Sequence, residues 1–128
     1  MTRSAKKWVD KAEGDWQTAL LLYRARKHPN YDNACFHLHQ CAEKYLKARL
    51  EEAGIDFEKT HNLINLLKLV LPLEPAWKTL RPALKVLNDY AVDVRYPDFS
   101  VDKAEAKVAL AHCRAVRKTI RQSFGLPV

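Results

Sequence analysis

Ala34-Cys35-Phe36-His37-Leu38-His39-Gln40-Cys41-Ala42-Glu43-Lys44-Tyr45-Leu46-Lys47-Ala48 is the stretch on which the fold turns. It reads as one uninterrupted helix. Setting His37 at zero and advancing roughly 100° per residue places Lys44, Gln40 and Lys47 within about 80° of it, with Glu51 among them. Ala34, Leu38, Cys41 and Tyr45 form the adjoining face, and Ala42 and Leu46 extend it. The helix therefore combines a broad core face with a narrow polar ribbon. That ribbon suits an anion, because His and Gln donate hydrogen bonds and lysines supply charge to phosphate oxygens. The alternative is a solvated face, with Glu43 and Lys47 as an i,i+4 pair.

Working outward, helical spacing recurs on both sides. Trp8, Ala12, Trp16, Ala19 and Tyr23 mark a first helix over about 4–27, with Ser4 as its cap and His28-Pro29-Asn30 as its end. Asp32 is the expected N-cap of the second helix, and Gly54 its C-terminal stop. Leu63, Leu66, Leu67 and Val70 mark a short third helix beginning near Thr60 to Asn62 and ending before Pro72. Leu80, Leu84, Leu87, Ala91 and Val94 predict a fourth over about 77–94, with Pro82 near its start and Arg81 as an alternative first residue. The fifth is expected from Ser100 to Phe124, with Ala104, Val108, Ala111 and Ala115 as its packing stripe. No segment alternates with period two, and the linkers are short. The expectation is one all-α domain over residues 1–128, an up-and-down bundle of four to five helices.

Composition narrows the function classes. The 128 residues carry 22 Lys and Arg against 15 Asp and Glu, a net charge of +7. The excess sits at the ends: residues 1–30 hold seven basic side chains against three acids, and 101–128 hold six against two. Such a field attracts phosphates, RNA or an acidic partner, and Arg114, Arg117, Lys118 and Arg121 are a candidate RNA patch. The cysteines Cys35, Cys41 and Cys113 make no disulfide framework, and free thiols suit a reducing compartment. With no leader-like start and no membrane-length apolar run, a cytoplasmic protein is expected.

A metal is not expected. Cys35 and His39 share one helix face, and His37 and Cys41 the opposite one, so one helix cannot bring the four to a tetrahedral zinc. No CxxC or HExxH pattern adds ligands, and the thiols are expected to pack as small hydrophobes. No cofactor motif, P-loop or serine triad is present. Near the end of the fourth helix, Arg95 is either a helix-end cation or a phosphate contact, and Tyr96 a packing lid or a stacking ring. His61 is either a capping residue or a ligand contact.

These stretches, in this order, resemble the HEPN domain family, named for higher eukaryotes and prokaryotes nucleotide-binding. Trp8, Ala12 and Asp15 match a Trp-x-x-x-Ala-x-x-Asp pattern. Residues 37–48 resemble His-x-x-Gln-x-x-Glu-Lys-x-x-Lys-Ala. His61 with Leu63 resembles a His-x-Leu segment, and Arg95-Tyr96-Pro97 an Arg-Tyr-Pro motif. The resemblance spans roughly residues 4–123. It implies a helical bundle, commonly homodimeric, often paired with a minimal nucleotidyltransferase, and in some members an RNA-cleaving toxin. The ligand positions it implies are His37, Gln40, Lys44, Lys47, His61, Arg95 and Tyr96. One departure matters. RNase members carry Arg, four to six residues, then His; after Arg95 those places hold Ser100, Val101 and Asp102, and no other arginine satisfies the spacing. A metal-independent RNase needs an acid/base group at the scissile phosphate.

Three readings therefore stand. One is a non-catalytic nucleotide- or phosphate-binding module, with no catalytic residue, in a two-component, toxin–antitoxin-like system. Another is a ribonuclease using His37 or His61 with Arg95. The last is a bundle that only docks a protein partner.

Overall fold

The computed structural model describes residues 1–91, 94 and 96–128; Arg95 lies outside them. Every regular element is helical among these residues. Helix α1 spans Arg3–Arg24, α2 Tyr31–Glu52 and α3 Leu63–Val70. A 3₁₀ segment over Pro75–Leu80 leads into α4, Arg81–Asn88, and α5 spans Lys103–Ser123.

Local chemistry sets these bounds. The Thr2 hydroxyl caps α1 by accepting from the Ala5 amide at 3.0 Å, and the Asn30 side chain caps α2 through Asn33. Asn62 accepts from the Ile64 and Asn65 amides to start α3. Asp102 and Glu105 form a reciprocal capping box on α5. Both α2 and α5 close in a Schellman pattern, with Gly54 and Gly125 at φ +69° and +70°. In each, the glycine amide and the one after it return to the last-turn carbonyls.

Helix α2 is the hub. It packs along the length of α1 and also touches α3, α4 and α5. Thr2 meets Glu52 at one end of the α1/α2 pair and Tyr23 meets Tyr31 at the other, so these two helices are antiparallel. Asp32 holds the Val101 amide and Arg121 reaches Tyr45, so α5 runs parallel to α2. The core between them holds Trp16, Leu38, Tyr45, Leu46, Leu50 and Ile120, all buried. The three cysteines are free and buried. Burial pushes the Cys35 thiol up to about 12 and Cys41 well above its ordinary value. These thiols are core hydrophobes.

Several boundaries differ from the sequence expectation. The caps are Thr2, Asn30 and Asp102 rather than Ser4, Asp32 and Ser100. Asp32 instead uses its carboxylate to tie Val101 down at 2.7 Å. Helix α4 stops at Asn88, because the Asn88 side chain accepts from the Leu63 amide and donates to Asn62, locking the end of α4 to the start of α3. On α5 the expected stripe is on the wrong side: Ala104, Val108, Ala111 and Ala115 are exposed. The buried face is Ala106, Ala109, Leu110, Cys113, Val116 and Ile120. Its larger side chains bury more apolar area than three alanines and a valine, and that decides which face turns inward. No helix among the described residues is long and apolar enough to cross a membrane.

Candidate functional site

The polar ribbon of α2 does not stand free. Its members join two charged clusters that α1 and the loop before α3 complete. In the first, His37 Nδ1 donates to Asp15 Oδ1 at 2.8 Å and Lys44 Nζ to Asp15 Oδ2 at 2.6 Å. The Asp15 side chain is 11% exposed, and His37 keeps 30% of its side chain in solvent. Nδ1 is held and Nε2 is left as the free ring nitrogen, an arrangement in which a carboxylate orients an imidazole.

The second cluster is deeper. The Glu43 carboxylate accepts from Lys47 Nζ at 3.0 Å and from His61 Nδ1 at 2.8 Å. Glu43 and Lys47 are both nearly inaccessible, whereas the His61 ring is mostly exposed. The pair expected on a solvated face is thus internal, because α2 is wrapped on several sides. His39 Nε2 donates to the His61 carbonyl at 2.8 Å, and the Gln40 amide approaches His39 Nδ1 at 3.4 Å. These two contacts define the His39 tautomer. Burial pulls the His39 pKa down against the raising pull of its His61 carbonyl bond, so the buried ring stays neutral.

A third node links α1 to α5. Glu13 accepts from Tyr45, and from Arg117 through both Nε (2.9 Å) and Nη2 (2.5 Å). Arg121 bonds the Tyr45 hydroxyl at 3.1 Å. Burial works to raise the Glu13 pKa. The hydrogen bonds from Arg117 and Tyr45 and the charges of Arg117 and Arg121 outweigh it, holding the carboxyl below its ordinary value. Arg117 and Arg121 are therefore spent inside the bundle, which removes half of the expected basic tail patch.

Beside the ribbon, α1 and α2 enclose an open cleft of about 580 Å³, lined by Ser4, Lys7, Trp8, Lys11, Lys44 and Glu51. Lys7 and Lys11 have no acid partner among the described residues. Trp8 lies edge-on to Phe57, and the Lys47 ammonium sits 5.4 Å from its ring centroid. The cleft offers cations around an aromatic ring, a combination suited to a phosphate attached to a flat base.

The seven expected ligand residues thus divide. His37 and Lys44 meet through Asp15; Gln40, His61 and Lys47 meet through His39 and Glu43. Tyr96 is 59% exposed rather than a packing lid, and Arg95 falls outside the described residues. Spacing on α2 did not reveal Lys7, Trp8 and Lys11, because the cleft forms only when α1 is laid antiparallel on α2. Asp15 stood in a motif but carried no signal of its partners on α2, and Glu43 signalled Lys47 at i,i+4 but not His61. No group of three potential metal-ligating side chains gathers among the described residues.

Comparison with known proteins agrees with this architecture. A Thermus thermophilus protein of solved structure, TT1696, superposes with a TM-score of 0.78 at 24% identity, over 94% of this chain and 98% of that one. The structure of ST0689, an archaeal HEPN homologue, superposes with a TM-score of 0.72 at 24% identity, over 96% and 98%. At that identity the likeness shows the fold. The Methanocaldococcus jannaschii protein named "Putative toxin MJ1304" is 31% identical over 101 residues, 73% of this chain and 64% of the relative, so the chain spans just under two thirds of that relative's length. The HEPN domain pattern matches residues 5–123. On that match, with the helical order and the Asp15 and Glu43 clusters that its motif residues build, the chain belongs to the HEPN domain family.

Proposed function

We propose that this chain is a non-catalytic nucleotide- or phosphate-binding module. In this reading it acts as a homodimer and as one half of a two-component, toxin–antitoxin-like pair with a minimal nucleotidyltransferase. The observation that carries the binding reading is the α1/α2 cleft, where Lys7, Lys11 and Lys44 surround the half-buried Trp8. Lys7 and Lys11 supply the charge, since Asp15 already neutralises Lys44. Trp8 supplies a face for a base. The ribbon's role is to hold this cleft in shape: Lys47, held by Glu43, lies against the Trp8 ring, and Asp15 fixes Lys44.

The test uses the indole itself. Trp16 and Trp77 are 5% exposed, so a nucleotide entering the cleft should quench Trp8 alone. Titration with ATP, GTP and pyrophosphate is expected to quench the wild type, with the nucleotide signal lost in Trp8→Phe. The Lys7→Ala, Lys11→Ala double variant should weaken binding about tenfold or more, at roughly one charge-assisted contact per lysine. No binding by the wild type at millimolar ligand sinks the reading. Light scattering checks the homodimer, and co-purification with a nucleotidyltransferase encoded beside it checks the pair.

A second reading is favoured by the toxin name of the archaeal relative and by the Asp15–His37 pair, which leaves an oriented, partly exposed ring nitrogen. In an RNA-cleaving protein that nitrogen would take the proton of the attacking 2′-hydroxyl. Cleavage of RNA by purified protein, abolished in His37→Ala, would replace the first reading with this one.

A further inference from the structure

The loop that joins α2 to α3 lines a second open cavity, of about 410 Å³. Local chemistry ties both ends of this loop. At its start, Ile55 follows the Gly54 stop and returns its amide to the Leu50 carbonyl. At its end, Thr60 accepts from the Asn62 amide at 3.1 Å, and His39 holds the His61 carbonyl. Between these ties the chain alternates. Phe57 packs inward, edge-on to Trp8, with its ring centroid 5.7 Å from the Lys47 ammonium. Asp56 and Glu58, on either side of it, stay exposed and line the cavity. Helix α3 supplies the rest of the wall. Leu63, Leu66, Leu67 and Val70 take its core face. Asn65, Lys68 and Leu69, spaced i, i+3 and i+4, therefore stand together on its outer face and border the cavity.

The wall thus combines two carboxylates, one ammonium and two apolar side chains, with the Thr60 hydroxyl and the Asn65 side-chain amide as neutral hydrogen-bonding groups. Asp56, Glu58 and Lys68 have no ion-pair partner among the described residues. Other charges stand nearby. Lys59 is exposed beside Glu58 but is not part of the wall. Lys47, behind Phe57, is neutralised by Glu43, which also receives the His61 ring. The wall itself is left with one negative charge in excess, on a chain whose net charge is +7.

We infer that this cavity binds a free basic α-amino acid, lysine or arginine. Its carboxylate pairs with Lys68, its two cationic groups with Asp56 and Glu58, and its methylene stem lies along Phe57 and Leu69. Every charge of the wall then has a counterpart, and the apolar side chains cover an apolar stem. The volume is within the roughly 300–1,000 Å³ of pockets that take small molecules. Other ligands leave a group unmatched. A phosphate or nucleotide would meet two unpaired carboxylates. A divalent cation would meet the Lys68 ammonium, and two carboxylates are too few to hold it. A polyamine suits the acids but sets a like charge against Lys68. A peptide ending in lysine or arginine offers the carboxylate and one cation, so one acid stays unpaired. The cavity shares no residue with the α1/α2 cleft and favours the opposite charge.

The test is an amide NMR titration of the labelled protein with L-lysine and L-arginine at constant pH and ionic strength. Shifts are expected at residues 56–60 and 65–69. Because the charged side chains are exposed, each contact is weak, and the expected dissociation constant is about 1 mM. Three analogues each remove one group: cadaverine the carboxylate, N-acetyl-lysine the α-ammonium and norleucine the side-chain cation. Each should bind about threefold more weakly or worse. Lys68→Gln should weaken lysine by about the same factor yet leave cadaverine no weaker than before. Asp56→Asn with Glu58→Gln should bring lysine down to the level of norleucine or below. Asp89→Asn, which removes an exposed carboxylate elsewhere, should bind lysine as the wild type does. Cadaverine or norleucine binding as tightly as lysine overturns the proposal, since the wall would then not be reading all three charges. So does an equal loss in Asp89→Asn, or the absence of shifts at 56–60 and 65–69 with about 20 mM ligand.

Discussion

Glu43 decides more of this molecule than its exposure suggests. Its carboxylate is the acid partner of the buried Lys47 ammonium, and it also receives the His61 ring. Replacing Glu43 by Ala leaves a charge in the core without that partner, and the expected cost is about 3–5 kcal/mol. Glu43→Leu with Lys47→Met should recover most of that loss, because two apolar side chains of similar volume need no partner. Urea denaturation of both variants checks this; a double variant no more stable than Glu43→Ala would show that the pair is not the cause. The same residues explain what a linear reading could and could not supply. His37, Lys44 and Lys47 were legible as one ribbon because helical spacing is a local property. That Asp15 holds His37 and Lys44, and that the Glu43–Lys47 pair is buried, was not, since Asp15 lies on another helix and Glu43 gave no sign of facing inward.

Helices α2 and α5 show how far local signals carry. Their Gly54 and Gly125 stops work through backbone geometry alone. A Cβ at Gly54 would meet no atom within 4 Å, so Gly54→Ala should cost only the strain of a left-handed alanine, about 1–2 kcal/mol by denaturant unfolding. At the other end of α5, Asp102→Ala removes half of the capping box and is expected to cost about 1 kcal/mol. Should that change prove neutral, the box would be ornamental to the helix. The fifth helix itself was legible, but its orientation about its own axis was not. Two apolar stripes run along it, one of three alanines and Val108 and one including Leu110, Val116 and Ile120. Only packing against α2 and α4 decides between them, and the bulkier stripe wins because it removes more apolar area from water.

Across the bundle, two polar groups make stability depend on pH in the same direction. His39 has its pKa lowered by burial from an ordinary 6.5. Below that value the unfolded chain takes up a proton that the folded chain resists, so stability falls as pH drops. Glu13 is held below its ordinary 4.5, so its contribution is present above that value and is lost as pH falls through the folded one. Thermal midpoints should therefore decline in two stages between neutral and strongly acid pH. His39→Gln keeps a donor for the His61 carbonyl and should flatten the upper stage only; an unchanged profile in that variant would remove His39 from the account. The helical class, the order of the five helices and the residues of the α2 ribbon followed from periodicity, because each depends on neighbours within a few turns; the length of the fourth helix and the N-caps of α1, α2 and α5 did not. Which face of α5 is buried, which acids silence the ribbon, and where open cationic clefts remain were settled only by helix packing. Burial, and charge pairs such as Asp15–Lys44 and Glu13–Arg117, act between residues tens of positions apart, and no local pattern records them; the i,i+4 pair Glu43–Lys47 is the one part of that network the spacing showed, though not its burial.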